Sequence, residues 1–170
     1  MAPARDITLR PAGAEDIPLI RDLAGRIWRE HYPGIITHAQ IDYMLERMYA
    51  ASVIAEEIGS KGYRYVLAMA EGEAVGFAAY VHEPAAQAVK LSKLYLLPSL
   101  HGKGIGRKML QQVKDDAVRQ GAKSVYLFVN KRNRKAIASY ERFGMKKAEE
   151  VVTDIGGGFV MDDFRMELAL

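Results

Sequence analysis

The chain has 170 residues, 49% of them hydrophobic, and its 24 Lys and Arg against 21 Asp and Glu give a formal net charge of +3. That length suits a single domain, 1–170, with enough apolar residues to bury a core, and it excludes a disordered chain. The absence of cysteine excludes a disulfide framework, a thiolate metal site and a cysteine nucleophile, and four scattered histidines give no grounds for a metal.

The N-terminal residues Met1 to Asp6 lack the apolar run of a signal peptide, and no stretch approaches the length of a membrane span. A cytoplasmic protein with no membrane partner is expected. Ile7 to Arg10 alternates apolar with polar and ends at Pro11, which reads as a short strand. Ala14 to His31 is helical by the spacing of Ile20, Leu23, Ala24, Ile27 and His31, and Pro33-Gly34 ends it. A second helix is expected from about His38 to Ile58, with Ile41, Leu45, Met48, Ser52 and Ala55 on one face. Tyr63 to Ala70 and Ala74 to His82 read as two strands of a hairpin turning at Glu71-Gly72-Glu73.

Val89 to Leu97 is a strand that Pro98 stops, and it feeds His101-Gly102-Lys103-Gly104-Ile105-Gly106-Arg107. A helix follows with Ile105, Met109, Leu110, Val113 and Ala117 as its apolar stripe and Gly121 as its stop. Alternating glycines at a helix start leave bare N–H groups at the positive end of the macrodipole, which suits an anion. A P-loop is excluded because no Gly-Lys is followed by Ser or Thr, and the dinucleotide fingerprint is excluded because Arg107 stands where its third glycine should be. Lys90, Lys93, Lys103, Arg107, Lys108, Lys131, Arg132, Arg134 and Lys135 flank this loop or a later turn, which points to a polyanionic ligand at one site.

Ser124 to Val129 is a strand, parallel to its predecessor through a β-α-β unit. Asn133 caps a helix carrying Ala136, Ile137 and Tyr140 and stopping at Gly144, and Met145 to Ile155 and Phe159 to Leu170 make a final antiparallel hairpin around Gly156-Gly157-Gly158. The expected order β-α-α-β-β-β-α-β-α-β-β gives an α/β (α+β) fold: a mixed sheet with helices on both faces.

His101-Gly102-Lys103-Gly104-Ile105-Gly106, together with Asn133, Ala136, Tyr140, Gly144 and Met145 in the spacing N-x-x-A-x-x-x-Y-x-x-x-G-[F/M], resembles the GNAT superfamily of acetyl-CoA-dependent N-acetyltransferases. The resemblance implies a GNAT-like, mostly antiparallel twisted sheet with a splayed parallel strand pair, and acetyl-CoA as co-substrate without a metal. It implies that the loop N–H groups hold the pyrophosphate, that Leu94, Tyr95 and Leu96 pair with pantetheine, and that Tyr140 protonates the leaving thiolate while Asn133 contacts the coenzyme. His101 stands where the family usually has Gln or Arg.

A base is also needed, because near pH 7 only about one alkylamine in a thousand is unprotonated. Lys90, Ser92 and Lys93 occupy the stretch where many relatives carry an acid, which leaves Glu83, Asp162 and Asp163 as candidates. Regular alternation sets Asp162 beside Val160, Phe164, Met166 and Leu168, where it needs a partner cation or a role at the acceptor. Trp28, Tyr32 and Tyr43, with Glu30, Asp42 and Glu46 nearby, suit a cationic amine. Ile27 to Tyr49 and Gly158 to Asp163 are similar to the bacterial polyamine acetyltransferase branch, which implies a small amine or polyamine as acceptor. A protein N-terminus or lysine, and a non-catalytic acyl-CoA sensor, are the alternatives. Nucleic acid is not expected as a partner, and a homodimer is left open.

Overall fold

The computed structural model describes residues 6–170. In chain order these form β1 (Ile7–Ala12), α1 (Ile17–His31), α2 (His38–Met48), α3 (Ala51–Gly59), β2 (Arg64–Ala70), β3 (Glu73–Glu83), β4 (Ala88–Leu96), α4 (Ile105–Arg119), β5 (Ser124–Asn130), α5 (Arg134–Phe143), β6 (Lys146–Gly156) and β7 (Phe159–Ala169). The strands make one seven-stranded sheet in the order β1-β2-β3-β4-β5-β7-β6. Every pairing is antiparallel except β4 with β5. Residues of α1, α2 and α3 pack on one face with Leu67, Phe77 and Ala79, and Met109, Val113 and Ala117 of α4 with Ile137 of α5 pack on the other.

Two elements differ from expectation. β1 runs through Pro11, which a strand tolerates at the sheet edge where no ladder N–H is missed. The helix expected from His38 to Ile58 is two, because Ala50 is extended at φ −58°, ψ 141°. Tyr49 and Ile54, both buried, would stand roughly 140° apart on one straight helix, so breaking the chain between them lets both reach the same core. The Tyr49 carbonyl freed at the break accepts from Arg21 Nε at 2.8 Å.

The site depends on two features of β4. Its pairing with β3 slips by one residue between Leu91 and Lys93, leaving Ser92 as a bulge. Leu91, Leu94 and Leu96 therefore point toward α4, while Lys93 and Tyr95 turn toward α1 to α3. The parallel pairing with β5 covers only Ala88 with Ser124, Val89 with Val125 and Lys90 with Tyr126. Beyond Lys90 the two strands part, β4 held by β3 and β5 held by β7 along their outer edges.

At the far end of the sheet the β6-β7 hairpin folds over α2. Gly156, Gly157 and Gly158 turn with φ of 85°, 63° and 81°, and a Cβ at Gly157 would lie 2.7 Å from the Tyr43 ring. Tyr43 donates its hydroxyl to the Ile155 carbonyl at 2.7 Å, and Gln40 Nε2 donates to the Val160 carbonyl at 2.9 Å. These contacts fix the hairpin tip against α2 and close one side of the cavity described next.

Candidate active site

Where β4 and β5 part, a cavity of about 710 Å³ opens through the sheet. The glycine loop stands at one mouth. Gly102 and Gly104 have φ of 79° and 81°, the left-handed region in which a Cβ is strained, and α4 starts directly after them. Its first intrahelical bond runs from Lys108 N to Gly104 O at 3.1 Å, so the N–H groups of Ile105, Gly106 and Arg107 have no acceptor within the helix. Gly106 is helical and has open space where a Cβ would be, and it lines the cavity, so its bareness admits a ligand to those N–H groups. Arg107, Lys135 and Arg142 line the same half, which gives it the sign an anion needs.

Tyr32, which caps the C-terminus of α1, Tyr95 of β4 and Tyr140 of α5 meet in the middle. The Tyr32 and Tyr95 hydroxyls are 3.4 Å apart, and Trp28 packs behind them with tilted rings, centroids 4.5 Å from Tyr32 and 5.6 Å from Tyr95. Burial raises the Tyr140 phenol above its ordinary value, with the nearby Tyr32 adding to it, so at neutral pH the proton stays on oxygen. Asn133 Oδ1 accepts from Ala136 N at 3.4 Å as the cap of α5 and contacts His31 Nε2 at 3.3 Å. Because Oδ1 can only accept, that contact sets the His31 proton on Nε2. Burial lowers the His31 pKa more than Asn133 raises it.

Asp163 of β7 is the buried acid of the cavity, 5% exposed. Burial lifts its carboxyl to about 6, Asp162 beside it adds to the rise, and Lys131 opposes it. Among the described residues no hydrogen bond reaches this carboxylate. Its oxygens are not among the fully enclosed side-chain atoms that lack a partner, which among the described residues are Trp28 Nε1 and Tyr49 Oη, so the carboxylate faces the open cavity, where an arriving cation can meet it.

The structure brings most of the expected site residues together. Leu94, Tyr95, Leu96, His101, Gly102, Gly104, Gly106, Arg107, Asn133, Tyr140, Trp28 and Tyr32 all line the cavity. Lys103 is exposed outside it, and Ile105 sends its side chain into the core while its N–H remains at the helix start. His101 has its Nε2 3.0 Å from the Leu96 carbonyl, so that nitrogen braces the turn out of β4 and is not free for a phosphate.

Four expectations need correction in their placement. Asp162 does share a face with Phe164 and Met166, but at the solvent end, where Lys131 Nζ pairs with it at 2.9 Å; Asp163, on the opposite face, reaches the cavity instead. Glu83 lies beside the closed end of the strand pair and accepts the Tyr126 hydroxyl, outside the cavity. Tyr43 is committed to the hairpin tip and does not line the cavity. Glu30, Asp42 and Glu46 are exposed, with Asp42 paired to Arg29 at 2.7 Å.

The basic cluster also disperses. Lys93 is buried against Glu57 on the other face, Lys131 belongs to Asp162, and Arg132 donates to the Gly34 carbonyl at 3.0 Å. His31, Gln40, Met44 and Met161 line the cavity without having been singled out for it, since nothing local distinguishes them from core or surface positions.

A sheet opened between two parallel strands, with unpartnered helix N–H groups at one mouth and a protonated tyrosine inside, is the framework of a coenzyme-A-dependent acyltransferase. Residues 21–145 match the family model described as Acetyltransferase (GNAT) family. The chain belongs to that family and is an N-acetyltransferase. It is 29% identical over 124 residues to an uncharacterized N-acetyltransferase of Mycobacterium bovis, 73% of this chain and 79% of that one. It is 24% identical over 160 residues to a spermidine N(1)-acetyltransferase of Thermoplasma acidophilum, 92% of this chain and 96% of that one. In fold it is similar to the PaiA N-acetyltransferase of Thermoplasma acidophilum in complex with coenzyme A, with TM-score 0.81 and 23% identity over 97% of this chain and 99% of that one. No helix among the described residues is long and apolar enough to cross a membrane.

Proposed function

We propose that this protein transfers the acetyl group of acetyl-CoA to a primary amine in a ternary complex, with Asp163 as the base and Tyr140 as the acid. The observation that carries the reading is the unpartnered Asp163 carboxylate in one cavity with the glycine-led N–H groups and Tyr140. The spermidine acetyltransferase relative supports an amine as the acceptor class. The N–H groups of Ile105, Gly106 and Arg107 hold the coenzyme pyrophosphate, and the exposed edge of Leu94 to Leu96 receives its pantetheine arm.

Asp163 takes a proton from the arriving ammonium, which frees the nitrogen lone pair. The amine then attacks the thioester carbonyl, forming the C–N bond, and collapse of the tetrahedral adduct breaks the C–S bond. Tyr140 gives its hydroxyl proton to the departing thiolate and regains one from the acylated nitrogen, leaving amide and free thiol, and Asp163 passes the proton it took to solvent before the next turnover. No step needs a cysteine, which this chain lacks. Asp163 takes the role considered for Asp162 and Glu83 because their carboxylates are occupied by Lys131 and Tyr126.

Thiol release from acetyl-CoA with an amine panel tests the assignment. Asp163→Asn should lower kcat/KM by about 10²–10⁴, and Tyr140→Phe should lower kcat within the same range. Undiminished turnover in either variant overturns the role given to that residue.

A further inference from the structure

The acceptor half of the cavity has an unusual chemical balance. Asp163 is the one carboxylate among the described residues that line the whole cavity. Ile36, Met44 and Met48 from the α2 side line the same cavity, as do Trp28 and Tyr32, and Met161 lies two residues from Asp163 on the same face of β7. The Tyr32 and Tyr95 hydroxyls engage each other, so what these residues turn to a ligand is mainly ring surface. Lys90, another charged lining residue beside the parting strands, is a cation, its Nζ 5.7 Å from the Phe128 ring centre. The acids that could extend a negative track, Glu30, Asp42 and Glu46, face solvent outside.

A di- or polyamine brings an ammonium every few carbons along its chain, and each must keep water, find a carboxylate or donate to a neutral oxygen. This wall offers an opposite charge to one; for a second it has only the neutral oxygens of Gln40, Ser92, Asn130 and Thr153. Thioether side chains are polarizable and adaptable, which suits alkyl and aryl groups and leaves a second ammonium without an opposite charge.

We infer that the acceptor is a primary monoamine carried on an alkyl or aryl body, its nitrogen at Asp163 and its body against Ile36, Met44, Met48 and Met161. Diamines and polyamines are discriminated against. The inference rests on the proposed acetyl transfer and names the substrate class for that same site.

Hexylamine and hexamethylenediamine form a matched pair that differs only in the distal ammonium. With acetyl-CoA and thiol release as readout, hexylamine should have a kcat/KM about tenfold or more above the diamine, and phenethylamine should exceed spermidine similarly. Met161→Glu adds a second carboxylate to the wall and should shrink that ratio; Met48→Glu, at a half-buried position, does the same if the first variant fails to fold. Equal or higher kcat/KM for the diamine or for spermidine overturns the inference while leaving acetyl transfer standing. An unchanged ratio in a folded glutamate variant also overturns it. Coenzyme A binding by calorimetry without transfer to any of the four amines overturns the transfer itself, and the inference with it.

Discussion

Replacing Lys93 by Met tests how β4 is held at the mouth of the cleft. The Lys93 side chain is 3% exposed, its Nζ 2.7 and 3.3 Å from the two Glu57 carboxylate oxygens and 2.7 Å from the Tyr65 hydroxyl. The Tyr49 and Tyr65 rings lie 4.9 and 5.3 Å from the same ammonium. Burial outweighs the pairing and holds the Lys93 pKa below its ordinary value, yet three short contacts keep the charge satisfied. Lys93→Met preserves volume and leaves Glu57 buried with the Tyr65 hydroxyl, 3.0 Å away, as its remaining donor. An uncompensated buried charge of this kind costs about 3–5 kcal/mol, or roughly 6–20 °C in Tm for a chain of this size. The double variant Lys93→Met/Glu57→Leu removes both charges and should recover most of the loss, giving a coupling of about 3 kcal/mol in a denaturant double-mutant cycle. A cost below about 1 kcal/mol for Lys93→Met, the size expected of an exposed pair, would refute the reasoning.

Two further outcomes follow from the site. Asp163 must be ionised to act, and its carboxyl is raised to about 6, so kcat/KM should fall as pH drops through about 6. Asp162 and Lys131 are the charged groups acting on it, with the Tyr32 phenol nearby, and Asp163→Asn should abolish that acid limb in a pH-rate profile; a limb that survives would assign it to another group. Gly104→Ala sets a side chain at φ 81° at a strain of about 1–2 kcal/mol, which favours a reshaped loop whose N–H groups no longer converge, so the KM for acetyl-CoA should rise about tenfold. Gly25→Ala, with open space around a Cβ inside α1, serves as control, and an equal KM in both would discount the loop.

The strand, loop and helix from Val89 to Arg119 were legible because each boundary has local chemistry: Pro98 stops the strand, Gly104 needs a left-handed φ, and Ile105, Met109, Val113 and Ala117 keep one period. The α2-α3 break was not, since Ala50 is neither Gly nor Pro and the bend serves the burial of Tyr49. Alternation along β7 correctly separates Asp162 from Asp163. It does not say which face of that strand the cavity touches, because that depends on β7 inserting between β5 and β6. The bulge at Ser92 did leave a trace: the apolar positions run Val89, Leu91, then Leu94, Leu96, a slip of one residue that regular alternation does not allow.

That slip has consequences for the chemistry. Without it, Lys93 and Tyr95 would share a face with Val89 and Leu91 under α4, which would bury an ammonium where no acid waits and remove Tyr95 from Tyr32 and Trp28. With it, Lys93 reaches Glu57, Tyr95 completes the aromatic wall, and Leu94 and Leu96 keep the α4 core closed. The bulge lies two residues past Lys90, the last residue of β4 in register with β5. Bulges bend and twist the strand that carries them, so the same extra residue that turns Lys93 away also carries β4 off its parallel neighbour. Beyond that point each strand exposes inward a row of backbone groups that water satisfies and that a pantetheine amide can take over, as an added strand does at a sheet edge. A deletion of Ser92 would leave Leu91 opposite Tyr80 and Lys93 opposite Ala79 in regular register, with Lys93 still turned toward Glu57, but would remove the bend that the extra residue puts into β4; the parting of the strands, more than the fit of the core, thus depends on one residue.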